Sequence, residues 1–200
     1  MTILEFIAAF FGVVSVWYSR KNDILVYPTG LVSVILYIYI CFHADLYADA
    51  ALNGYYTLMS LIGWYNWVQK KEEEFVFPVS YSNKNEWMYG LSVFVFISTI
   101  LYYFLSHFTN STVPVGDAVV SGASATAMWW MARRKIESWY AWLLADVIAV
   151  PLFYYKELYF TVGQFLIFLI LAVLGLIHWI KLEKIHAETD HKRTKLTPNA

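Results

Sequence analysis

The stretch LYADAALNGYYTLMSLIGWYNW (46–67) is answered, 112 positions further on, by LYFTVGQFLIFLILAVLGLIHW (158–179). Leu46-Tyr47 falls on Leu158-Tyr159, Gly63 on Gly175 and Trp67 on Trp179. The flanks agree at the same offset, with Asp45 on Glu157, Lys21 on Arg133, Tyr27 on Trp139 and Leu31 on Leu143. Single Leu or Tyr matches arise readily in an apolar chain. A basic loop, an acid-Leu-Tyr turn and a Gly-x-x-x-Trp end, all aligned without a gap, read as an internal repeat.

The medium in which this repeat folds follows from composition. Of 200 residues, 60% are hydrophobic, 20% aromatic and 14% charged. A soluble domain carries about 25% charged residues, so this chain could not cover a globule with polar surface. Its solvent is read as lipid. Runs of about 20 mostly apolar residues mark transmembrane helices. Seven such runs occur, at 2–18, 24–43, 46–68, 87–106, 115–132, 137–155 and 158–180. The first is read as a helix rather than a cleavable leader, because its basic residues, Arg20 and Lys21, follow the apolar stretch.

Orientation comes from the basic residues. Placing the N-terminus outside leaves Arg20, Lys21, Lys70, Lys71, Lys84, Arg133, Arg134, Lys135, Lys181, Lys184, Lys192, Arg193 and Lys195 on the cytoplasmic side, and Lys156 alone outside. So one-sided a distribution obeys the positive-inside rule. The expected location is a bacterial inner membrane, with a periplasmic N-terminus and a cytoplasmic C-terminus.

A unit of three spans is odd in number. Two copies joined directly would be inverted, so span 4 between them restores a common orientation. The expected fold is therefore all-α and integral to the membrane: seven helices in a 3+1+3 plan with two parallel repeats. Residues 1–68 form the first repeat and 115–180 the second. Residues 69–114 are a cytoplasmic loop plus linker helix, and 181–200 a cytoplasmic polar tail. In transporters with repeats of this kind the substrate lies near the midplane, between the repeats. Span 4 and the loop 69–86 are expected to join the halves without binding.

Several chemistries are excluded. A net charge of −1 supplies no basic field for nucleic acid. The single Cys41 allows no internal disulfide, and no two histidines stand at i, i+4 within one apolar run. No metal or cofactor is expected. No Gly-x-x-x-x-Gly-Lys-Ser/Thr loop is present to bind ATP.

Most aromatics near span ends, among them Trp17, Trp87, Trp129, Trp130 and Trp179, read as interfacial belt or packing residues. Span 6, ESWYAWLLADVIAVPLFYYK (137–156), is different. Trp139 and Trp142 are three apart and share a face, which Asp146 continues, with Tyr154 beyond. A charge near the bilayer centre costs about 2.5–3.5 kcal/mol, and such a residue faces a cavity or a partner. No Lys or Arg stands at mid-depth to pair with it. In span 3, Asn53, Tyr56 and Ser60 run along one face, and Trp64 and Trp67 repeat the paired-Trp spacing. Asp117 opens span 5 near the outer surface, where a substrate role and a helix N-terminal charge are equally good readings. Indole faces beside a carboxylate suit a flat cation: cation–π contact is worth about 0.5–2 kcal/mol, and the acid supplies a counter-charge.

With these features in view, the chain resembles the PnuC family of vitamin-precursor transporters, typified by nicotinamide riboside transporters. The likeness rests on RKN (20–22), PTG (28–30), LYADAALNGYY (46–56), GWYNW (63–67), MARRKIESWYAWLLAD (131–146) and KELYFT (156–161). It covers nearly the whole chain from about residue 17 to 180. The resemblance implies a doubled SWEET-like 3+1+3 architecture and facilitated diffusion of an unphosphorylated substrate that a kinase then traps. It also implies a homo-oligomer, a trimer. The family's aromatic-and-acid site maps onto Trp139, Trp142 and Asp146. Its polar position in span 3, usually Gln, is Asn53 here, and Tyr27 stands where Trp precedes the Pro. The two departures bear on the substrate. Nicotinamide riboside comes first, with thiamine or another cationic vitamin as the alternative. An intramembrane enzyme ranks lower, since the sequence offers no activated nucleophile. The candidate substrate-binding set is Trp139, Trp142, Asp146, Asn53, Tyr56, Trp64, Tyr154 and Asp117.

Overall fold

The computed structural model describes residues 3–71, 74–109 and 111–196. Seven helices occupy them: α1 (Ile3–Arg20), α2 (Val26–His43), α3 (Tyr47–Val68), α4 (Lys84–Phe108), α5 (Pro114–Met131), α6 (Glu137–Tyr155) and α7 (Tyr159–Leu196). A pair of two-residue antiparallel strands, β1 (Lys70–Lys71) and β2 (Glu74–Phe75), is a small addition to an all-α fold.

The helices α1, α2, α4 and α7 are long and apolar enough to cross a membrane by themselves. The other three are diluted by small and polar residues that face inward. In α5, Ala118, Gly122, Ala123, Ser124, Ala125 and Thr126 are all buried. Small residues let helix backbones approach closely, which is how helices associate in lipid, where apolar burial drives nothing. The outward faces are apolar: Phe10, Ile35, Leu58, Phe96 and Ile170 are all exposed. Together these are the surfaces of a multi-pass membrane protein.

Four helix ends share one device. Asn22, Asp45, Arg134 and Glu157 all have φ between 54° and 60°. After each, the next backbone N–H reaches back five residues: Asp23 to Tyr18, Leu46 to Cys41, Lys135 to Trp130, and Leu158 to Phe153. These are Schellman ends, in which a left-handed residue lets the chain satisfy the last helical carbonyls. Asn and Asp tolerate that conformation; Arg134 and Glu157 adopt it at the cost an ordinary side chain carries there. The fifth end differs: α4 begins with a reciprocal Asn83–Glu86 capping box.

Packing runs in two series. Helix α2 packs on α1 and α3, and α6 packs on α5 and α7. The series meet where α1 lies on α7 and α3 on α5, while α4 lies against α5. Trp67, Trp139 and Trp179 are fully buried at the basic end, with Tyr27 beside them. Tyr27 meets Trp67 edge-on at 5.1 Å, and Trp139 meets Trp179 edge-on at 5.5 Å. Gly63 admits the Tyr27 ring and Gly175 the Trp139 ring; a Cβ at either position would strike it. Trp67 Nε1 donates to the Met131 carbonyl and Trp179 Nε1 to the Ser19 carbonyl, both at 3.1 Å.

Two segments hold structure that the sequence reading did not specify. The segment before α4 is more than a connector: Val79 is buried in the ring cluster, and Ser80 pairs with the α5–α6 turn through Ser80 N–H to Arg134 O and Ile136 N–H to Ser80 O. Ser82 donates N–H and Oγ–H to the Glu137 carboxylate at 2.9–3.0 Å. Buried Arg134 donates to the Phe77 and Trp67 carbonyls and lies 4.4 Å over Trp67 and 4.3 Å over Phe75. Burial pulls its guanidinium down to about 10, so it stays cationic at neutral pH. The second is the segment after residue 180. Helix α7 continues through residue 196 because nothing from 181 onward breaks it, and residues 197–200 of the expected tail lie outside the described residues.

Candidate functional site

A cavity of about 730 Å³ opens between the two series of helices. Its wall can be followed along α6 from the basic end. Trp139 and Trp142 come first, Asp146 a turn later, then Phe153 and Lys156. Four residues of helix rise about 6 Å, so the Asp146 carboxylate lies about one ring-width beyond Trp142. Asp146 is only 2% exposed and has no hydrogen bond or ion pair among the described residues. An acid held this way awaits a partner from the cavity, because burying it unpaired is costly.

From α3, Asp49, Asn53, Tyr56 and Ser60 line the opposite wall. The local pattern explains their alignment: spacings of three and four keep side chains on one helix face. Asn53 donates Nδ2–H to the Asp49 carbonyl at 2.9 Å, which leaves its Oδ1 without a protein partner among the described residues. Tyr56 pairs with the Ser124 hydroxyl, and Gln164 of α7 with Tyr37 of α2. Tyr55 OH donates to the Ala125 carbonyl at 3.0 Å and ties this wall to α5.

At the end remote from the Trp cluster stand three charges. Lys156 Nζ lies 2.6 and 2.7 Å from the two Asp117 oxygens, and Ser111 Oγ donates to the same carboxylate at 2.8 Å. This pair ties the start of α5 to the α6–α7 turn. Asp49 completes the group. Among the described residues the cavity's ionisable carboxylates are Asp49, Asp117 and Asp146, against one cation, Lys156. Its ionisable lining is therefore weighted toward carboxylates, the residue type that attracts a positively charged occupant.

Six of the eight sequence candidates line this cavity: Trp139, Trp142, Asp146, Asn53, Tyr56 and Asp117. Trp64 and Tyr154 do not. Trp64 is 38% exposed; along α3 the last lining residue is Ser60, one turn short of it. Tyr154 is 64% exposed and packs on Tyr159. Eight residues turn a helix about 80° past two full circles, which swings Tyr154 off the Asp146 face. Trp139 carries a double duty: it lines the cavity while its ring is wedged between Gly175 and Trp179. Leu101 and Leu105 of α4 also line the cavity. Gln164 and Tyr37 escaped sequence reasoning. A signal for Gln164 existed, as a lone amide in the most apolar helix, of the same kind that marked Asp146.

Comparison with known proteins agrees with this geometry. A nicotinamide riboside transporter, PnuC, of Neisseria mucosa (strain ATCC 25996 / DSM 4631 / NCTC 10774 / M26) is 26% identical over 198 residues, covering 92% of this chain and 74% of that protein. The riboflavin/roseoflavin transporter RibM of Streptomyces davaonensis is 22% identical over 173 residues, covering 84% and 80%. The crystal structure of the vitamin B3 transporter PnuC superposes with a TM-score of 0.70 at 25% identity, covering 92% of this chain and 83% of that one. The sequence profile of one family, described as nicotinamide mononucleotide transporter, matches residues 2–181. Seven inward-lined helices, an apolar exterior and a profile match over nearly the whole chain lead to one conclusion: this protein belongs to the nicotinamide mononucleotide transporter family.

Proposed function

We propose that this chain facilitates uptake of nicotinamide riboside across the inner membrane, for trapping by intracellular phosphorylation. The observation that carries the reading is Asp146: an unpaired acid beside Trp142, on a cavity lined by three carboxylic side chains and one lysine. Nicotinamide riboside offers what those groups lack, a flat pyridinium for the indole and hydroxyls for Asp146 and the free Oδ1 of Asn53. The relatives of matching length named for this substrate support the choice.

The architecture we infer is two parallel three-helix repeats, 1–68 and 115–180, with 69–114 joining them and 181–200 following. All seven helices cross the bilayer. Three observations support it. The left-handed residues Asn22 and Asp45 stand 112 positions before Arg134 and Glu157. Tyr27–Trp67 and Trp139–Trp179 are edge-on pairs at that same offset. The Trp67 and Trp179 hydrogen bonds are reciprocal, each reaching the other repeat. One repeat rocking against the other would expose the cavity alternately to each side. The basic end faces the cytoplasm by the positive-inside rule, with the N-terminus periplasmic. Assembly into trimers follows the family resemblance.

Thiamine is the second reading, since it too is an aromatic cation and the charge argument applies to it equally. Calorimetric titration of the purified protein with nicotinamide riboside, thiamine and riboflavin decides. Saturable binding of nicotinamide riboside, followed by its unchanged accumulation in proteoliposomes, is the expected result. Tight thiamine binding with none of the riboside would replace the substrate. Conversion of the riboside during the assay would replace transport with catalysis.

A further inference from the structure

A second recess of about 370 Å³ lies at the basic end, outside the bundle, in the seam between α1 and α7. It is lined by Arg20, Lys21, Leu174, Ile177, His178 and Lys181. The α7 residues stand at i, i+3, i+4 and i+7, a single stripe along one helix face. All four are exposed, as is Lys21. The stripe is graded: Leu174 and Ile177 lie on the stretch that faces lipid, and Lys181 about 10 Å further along the axis, at 1.5 Å per residue.

The cations here are held in place but not neutralised. Arg20 lies 4.1 Å over the Trp17 ring and Lys21 Nζ 5.0 Å over it. Among the described residues neither they nor Lys181 lies within salt-bridge distance of a carboxylate. Asp23, two residues beyond Lys21, accepts the Leu25 N–H through Oδ1 and makes no ion pair with these cations. Elsewhere at this end the protein does neutralise a basic group, since Lys135 pairs with Glu86 at 2.9 Å.

The equivalent seam, 112 positions away, makes a useful contrast. Arg133 stacks on Trp129 at 4.4 Å, as Arg20 does on Trp17. The partner helix there carries Ile62, Tyr65, Asn66 and Gln69 in place of Leu174, Ile177, His178 and Lys181. Asn66 is spent on the Ala132 carbonyl at 3.1 Å. Closing the bundle therefore does not require His178 and Lys181 to be basic.

The geometry points to a binding site for an anionic glycerophospholipid in the α1–α7 seam. Its phosphodiester sits among Arg20, Lys21 and Lys181, with His178 beneath, and its acyl chains run down over Ile177 and Leu174. Basic recesses between membrane helices at the cytoplasmic surface suit such headgroups. The apolar floor favours a lipid over a free phosphate, which would have no use for it.

The test is native mass spectrometry of the delipidated full-length protein titrated with cardiolipin, phosphatidylglycerol or phosphatidylcholine. The wild type should retain one anionic lipid and little phosphatidylcholine. Arg20→Gln with Lys181→Gln should weaken retention about 25-fold, at about 5-fold per basic residue removed, equivalent to about 1 kcal/mol each. Arg133→Gln should leave it unchanged. Lys181→Gln alone, at an exposed position, gives the 5-fold step if the double variant does not purify as a monodisperse protein. Equal retention by wild type and Lys181→Gln overturns the site. Displacement of the lipid by millimolar inorganic phosphate overturns the lipid assignment in favour of a soluble anion.

Discussion

Ser19 and Met131 stand 112 residues apart and touch: the Ser19 hydroxyl lies 3.2 Å from the Met131 sulfur. The backbone carbonyls of the same two residues receive the Trp179 and Trp67 indole N–H groups. On the proposed repeat these residues are each other's counterparts. Their contact then lies on the axis relating the halves, and the two indole bonds are one bond made twice. That closes the basic end of the cavity beneath Trp139.

The reciprocal bonds make a paired prediction. Trp67→Phe and Trp179→Phe each remove one buried indole hydrogen bond, while the Met131 and Ser19 carbonyls keep the Arg134 and Asn22 N–H groups, a loss of about 0.5–1.5 kcal/mol. Thermal unfolding in detergent should fall by similar amounts for the two variants. A loss confined to one of them would show that the two bonds are not equivalent.

Asp146 is isosterically replaceable. Asp146→Asn keeps the shape and removes the charge, so folding should be retained while a cationic substrate binds about 10–100-fold more weakly, the range for a charged hydrogen bond of about 1.5–3 kcal/mol. Calorimetry with nicotinamide riboside measures it. Unaltered affinity would make Asp146 a structural residue.

The aromatic set separates by position. Trp142→Ala should cost about 1–3 kcal/mol in binding, the value of a ring stacked on a base. Trp64→Ala and Tyr154→Ala, both off the cavity, should leave affinity within about twofold, a surface-like effect. The same titration ranks all three, and a Trp64 effect as large as that of Trp142 would mean that the cavity reaches a turn deeper.

Arg134 clamps the segment ahead of α4. Arg134→Gln loses the ring contacts and at least one carbonyl bond, so amide exchange should quicken across residues 75–82. For pH the sign is simple. The folded value, about 10, lies below the free value of 12.5, so the guanidinium's contribution begins to change only above about 10, where rising pH favours the fold. Exchange protection of this segment should be flat from about pH 6 to about pH 9. A marked slope there would assign the clamp to another group.

Helices and their ends were legible because they depend on local sequence. Observed α2, α3, α5 and α6 begin and end within two residues of the apolar runs. Local too are the left-handed ends: Asn22 and Asp45 are residue types that accept that conformation. Arg134 and Glu157 are not, and their left-handed conformation was visible only in the structure. The docking of residues 75–83 was not legible, because a polar, charge-rich connector looks the same whether it is solvated or pinned.

In the candidate site, Asp146 declared itself through its solvent. A carboxylate in the middle of an apolar run needs a cavity, whatever the fold around it. Trp64 and Tyr154 show the opposite case. A ring is at home facing lipid, a neighbour or a ligand, so its type says nothing of its direction. Where the cavity stops, which of Trp139 and Trp142 is wedged against Gly175, and the pairing of Lys156 with Asp117 across 39 residues were decided by tertiary packing. The sequence alone determined that the chain lives in lipid, how often it turns and that one acid lies deep, since these follow from the cost of exposing or burying single residues. The shape that surrounds the acid came from contacts between helices distant in the chain, which no local preference encodes.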